Sequence, residues 1–67
     1  MIEKKELEEI QKAGAEAFKR GEPISRNPYL MNSKTPARTG EDLETWQAKV
    51  AAWSLGYQIE SLSAKDD

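Results

Sequence analysis

The chain contains neither cysteine nor histidine. The two absences together remove disulfides, thiolate nucleophiles, imidazole bases and the usual zinc ligands. Triad and metal-centre chemistry therefore have no basis here, and no metal or other cofactor is expected. No stretch approaches the ~20 apolar residues that span a bilayer, and the opening MIEKKELEEIQK is charged rather than a leader-like apolar run. The expectation is a soluble, cytoplasmic protein without a membrane partner. Glycines are few and scattered (14, 21, 40 and 56), with no G-x-x-x-x-G-K loop to cradle a phosphate. The carboxylates of the first helix have lysines four residues away, and those opening the second suit its dipole, so a solvated face explains them. No catalytic residue and no enzymatic activity are expected.

What remains is 67 residues, a third of them charged, with a net charge of −2. A chain this short makes one small domain whose single core leaves a few kcal/mol of net stability, so help from a partner or a second copy is a reasonable expectation. Charge is unevenly placed. Residues 1–21 sum to zero, residues 22–40 to +2 and residues 41–67 to −4.

Residues 2–20 read as a first helix: good helix formers, acids early, Lys19 and Arg20 late, and Lys4/Glu8, Lys5/Glu9, Glu8/Lys12 and Glu16/Arg20 four apart. Its apolar stripe is Ile2, Leu7, Ile10, Gly14, Ala17 and Phe18. Gly21 suits the position after the last turn, and Pro23 blocks continuation. Residues 21–39 hold all three prolines and read as a linker, with Asn27 and Thr35 biased toward extended geometry by the prolines after them. So long a connection is uncommon unless it is functional or disordered, and Ile24, Tyr29, Leu30 and Met31 suggest that its first half packs on the helices.

Residues 40–62 read as a second helix, with Thr39 as its cap and residues 63–67 as a frayed acidic tail. Its apolar residues form two sets at 3-4 spacing. Leu43, Trp46, Val50, Trp53 and Tyr57 make one; Ala48, Ala52, Leu55, Ile59 and Leu62 make the other, about 200° away. One partner helix covers only one of those faces, which leaves the second set for the linker, a second copy or a foreign partner.

Gly56 interrupts this helix at a cost of roughly 1 kcal/mol against alanine. The spacing Ala48-xxx-Ala52-xxx-Gly56 echoes Ala13-xxx-Ala17-xxx-Gly21, and such small-residue rows let two helix backbones approach closely. On this reading Gly56→Leu disturbs packing, whereas Gly56→Ala is mild or even stabilising. Trp53, Tyr57 and Tyr29 sit at helical or turn positions suited to a core. Trp46, near the polar loop, fits a core or an exposed anchor equally. Lys19, Arg20, Arg26, Lys34 and Arg38 are the cations available to a phosphate backbone, while the acidic second helix suits a basic protein surface.

Taken in order, Gly14-x-x-Ala17-x-x-x-Gly21, then Asn27-Pro28-Tyr29, then Trp53-x-x-Gly56-Tyr57 resemble the ribosome modulation factor family. The resemblance implies two helices joined by a linker, bound to the small ribosomal subunit and damping translation, with no catalysis. Members of that family are strongly basic, whereas this chain is slightly acidic, and the stretch between Tyr29 and Trp53 is longer here. The expectation is an all-α, antiparallel two-helix hairpin with a long proline-containing linker. Its partner is the ribosome or its RNA, alternatively a host protein, and Ala48, Ala52, Leu55, Ile59 and Leu62 form a face for a homodimer or partner.

Overall fold

The computed structural model describes residues 3–31 and 34–64. Ile2, expected on the first apolar stripe, and the tail residues Lys65, Asp66 and Asp67 lie outside the described residues. The first helix, α1, spans Lys4–Lys19. It stops as the sequence suggests. Gly21 takes φ +80°, its N–H bonds to Phe18 O at 2.9 Å, and the Glu22 N–H reaches Ala17 O at 3.1 Å, the paired closure that a left-handed residue permits. The charged side chains choose other partners than expected. Glu16 meets Lys19 at 3.6 Å and Arg20 meets Glu22 at 2.7 Å, and none of the four expected i,i+4 pairs is an ion pair among the described residues. Exposed pairs of this kind contribute little either way.

The linker is largely helical in short pieces. It contains 3-10 turns at Ile24–Arg26 and Pro28–Leu30 and a single turn, α2, at Pro36–Thr39. Asn27 (ψ 115°) and Thr35 (ψ 157°) are extended before their prolines, and Gly40 ends α2 at φ +78°. Thr39 serves α2 rather than the long helix, its hydroxyl donating to Thr35 O and accepting from the Glu41 N–H. The long helix, α3, spans Leu43–Ala64, so Ser63 and Ala64 are helical and not frayed. Asp42 stands at its start, and a hydrogen bond from the Thr45 side chain holds its carboxyl below the usual carboxylate value. The Thr45 backbone N–H also bonds this carboxyl, which is the cap at a helix N-terminus.

The contacts between α1 and α3 advance together along both helices. Glu6 lies by Lys49, Gly14 by the backbone of Trp53 and Tyr57, and Phe18 by Tyr57. The two helices therefore run in the same direction, which corrects the antiparallel hairpin expected from the sequence. A hairpin needs a short loop. Here residues 20–42 carry the chain back over the ~24 Å length of α1 and lie along α3 on the way, with Glu22 beside Tyr57 and Tyr29 beside Trp46.

Burial is concentrated where α1 and α3 cross. Ile10, Gly14 and Ala17 face Trp53 and Gly56, with Tyr29, Ala52 and Tyr57 packed around them. Trp53 stacks on Tyr57 with centroids 5.6 Å apart, and Phe18 meets the Tyr57 ring edge-on at 5.3 Å. A methyl added to Gly14 would overlap the carbonyl oxygen of Trp53, and one added to Gly56 would overlap that of Gln11. Both obstacles are backbone, and neither can swing aside. The hydrogens in those places point at the opposing carbonyls, a reciprocal Cα–H···O contact. Gly14 takes the place in α1 that the small-residue row had assigned to Ala13, which is exposed.

No strand occurs among the described residues, and no helix there is long and apolar enough to cross a membrane. Gly14→Ala and Gly56→Ala are each expected to lower stability by about 2–3 kcal/mol, the overpacking penalty outweighing the gain in helix propensity. Urea denaturation followed by circular dichroism checks this. It reverses the sequence-based expectation that Gly56→Ala is harmless.

Candidate functional site

The linker is fastened to α3 by polar side chains at its first half and its end. Asn27, 2% exposed, is the hub. Its Nδ2 donates to Val50 O at 3.1 Å and Ser54 Oγ at 3.2 Å, and its Oδ1 accepts from the Tyr29 N–H at 3.0 Å. Pro28 opens the following 3-10 turn, so the Asn-Pro-Tyr sequence works as a unit: amide anchor, fixed turn, aromatic cover. The Trp46 indole N–H donates to Tyr29 O at 2.7 Å, and the Tyr57 hydroxyl donates to Glu22 O at 2.6 Å.

An ion cluster closes the other end. Lys49 hydrogen-bonds Glu41 and lies 3.8 Å from Glu6 Oε2, joining α3, the end of the linker and α1. The Glu41 hydrogen bond raises the Lys49 ammonium above the ordinary lysine value against the opposing effect of burial. Sequence reasoning passed over Lys49. Its signal was position, the one cation in α3 between Leu43 and Ala64.

All nine residues that carry the family resemblance thus have internal roles. Gly14, Ala17 and Gly56 make the close crossing, Gly21 ends α1, Asn27, Pro28 and Tyr29 dock the linker, and Trp53 and Tyr57 form the aromatic stack. Trp46 joins them through its bond to Tyr29.

The cations divide into two groups. Lys19 and Arg20, at the end of α1, are matched by Glu16 and Glu22. Arg26, Lys34 and Arg38 are exposed on the linker, with no ion pair among the described residues. Residues 23–40 contain no acid, so the linker lays a wholly cationic strip along an otherwise acidic protein. Leu30 and Met31 are exposed between Arg26 and Lys34. The second α3 face also divides. Ala52 turns toward the core, Ala48 is half-buried, and Leu55, Ile59 and Leu62 stand in solvent.

Two measurements check the fastening. Asn27→Ala is expected to cost about 2–3 kcal/mol in urea denaturation, because one change removes three hydrogen bonds and leaves the half-buried Tyr29 N–H without its partner. Lys49→Met is expected to cost about 1–2 kcal/mol at neutral pH. Because the folded-state value is raised, the lysine's contribution is complete below its ordinary value and is lost as pH rises through the raised one. The gap between parent and variant should therefore close in strongly alkaline solution.

No protein-family model, no curated protein and no solved structure matches the chain.

Proposed function

We propose that this chain is a non-catalytic, cytoplasmic ribosome-associated protein that holds RNA phosphates along its linker and damps translation. The observation that carries the reading is the cationic strip. Arg26, Lys34 and Arg38 lie on an acid-free segment, exposed and unmatched by carboxylates among the described residues. Phosphate contacts are supplied by such side chains, and each releases counterions when it forms. The resemblance to ribosome modulation factors supports the same reading. Its residues account for how the linker is docked, so the segment bearing the cations is held in place before any partner arrives, and less ordering accompanies binding. Lys19 and Arg20 contribute less, because Glu16 and Glu22 already neutralise them.

The competing reading, a module aimed at a host protein, draws on the exposed Leu55, Ile59 and Leu62. Its acidic steering is weakened by the engagement of Glu41 with Lys49.

Co-sedimentation with ribosomes over a salt series separates the two. Three phosphate contacts to single-stranded RNA give a slope of log K against log salt of about −2, and Arg26→Ala, Lys34→Ala and Arg38→Ala should each flatten it by close to one contact. Absence of binding at low salt, or binding indifferent to all three substitutions, contradicts the proposal. Nuclease-resistant capture of one basic protein would favour the competing reading instead.

A further inference from the structure

The outward side of α3 is an apolar feature that neither the core nor the cationic strip uses. Leu55, Ile59 and Leu62 are 50%, 47% and 65% exposed and follow one another at 4-3 spacing, continuing the line of Ala48 and Ala51. This is the 3.5-residue repeat of a helix–helix seam rather than of a solvated surface. The charge pattern points the same way. A third of the chain is charged, yet from Val50 to Ala64 the only acidic or basic side chain is Glu60, which is half-buried and lies off this line. The molecule is only 13 Å across in its thinnest dimension, and among the described residues Leu55, Ile59 and Leu62 are left open to solvent.

From these observations we infer that α3 pairs with the α3 of a second copy, in a two-fold dimer whose seam is Leu55, Ile59 and Leu62. The seam holds no fixed charge, so it attracts neither a phosphate backbone nor a basic protein. It also lacks the like-charge repulsion that usually keeps identical copies apart. A self-complementary patch is what a two-fold interface requires. Its size sets the strength. Along the ~33 Å of α3, a strip one helix wide buries on the order of 300–500 Å² per copy, below the ~800 Å² of a standard interface. The dimer is therefore weak and reversible, with dissociation in the micromolar range. The linker's anchors meet α3 at Trp46, Val50, Ser54 and Tyr57, and Ile24 borders the seam at Leu62, so the dimer leaves Arg26, Lys34 and Arg38 free and does not depend on the ribosome reading.

Sedimentation velocity from a few micromolar to several hundred micromolar tests this with the full chain. The weight-average mass should rise from 7.6 kDa toward twice that value. Leu55→Glu and Ile59→Glu should each weaken association at least tenfold while leaving the helical circular dichroism intact, since both side chains are exposed. A monomeric mass throughout, or a dimer unaffected by both substitutions, overturns the inference. Ribosome binding by the monomeric variants, measured alongside, reports on the linker strip separately.

Discussion

Two glycines, each facing the backbone of the opposite helix, set the geometry of this protein. Gly14 and Gly56 bring α1 and α3 together so closely that a single methyl on either would strike the opposite carbonyl. At that approach the buried side chains Ile10, Ala17 and Trp53 gather beside the glycine contact. Trp53 and Tyr57 stack on one flank, where Phe18 and the linker meet them. The small size of the core follows from the same constraint, because a crossing built from glycine and alanine buries backbone more than bulky side chains.

A core of that kind leaves polar anchoring with an unusually large share of the work. The linker has few apolar contacts, and Leu30 and Met31 point outward. Its position depends on Asn27 reaching the α3 backbone, on the indole of Trp46 holding the Tyr29 carbonyl, and on the hydroxyl of Tyr57 holding Glu22. Each bond is modest in net worth, but each satisfies a group that burial would otherwise leave unpaired. The result is a fixed connection of proline-rich sequence, where composition alone suggested a loop.

Element type was legible in the sequence; element direction was not. Helical periodicity, Gly21 as a stop and extended residues before the prolines are local signals, and they appear in the structure where they were read. The relative direction of α1 and α3 depends on whether residues 20–42 turn sharply or travel back, and three-residue 3-10 turns leave no periodic trace in a sequence. The four-residue spacing of small residues pointed to Ala13 in α1, whereas its neighbour Gly14 makes the close contact. Thr39 and Asp42 are both good caps three residues apart, and only the extra turn of α2 decides between them. On the surface, the five cations were visible as residues. Their division into matched and unmatched groups was not, because Arg20 and Glu22 meet across the end of a helix rather than along one.

Function in this account lies in what the packing leaves outside. All nine residues of the family-like pattern serve packing, capping or linker docking, so the pattern speaks to architecture, and the proposed contacts fall to the linker cations and, separately, to the bare side of α3. All of this presumes that Gly14 and Gly56 form one shared contact. A double-mutant cycle of Gly14→Ala and Gly56→Ala, measured by urea denaturation, tests that most directly. If the contact is shared, the first methyl already parts the helices and the double variant loses clearly less stability than the two single losses added together. Strict additivity, or single variants as stable as the parent, would contradict it.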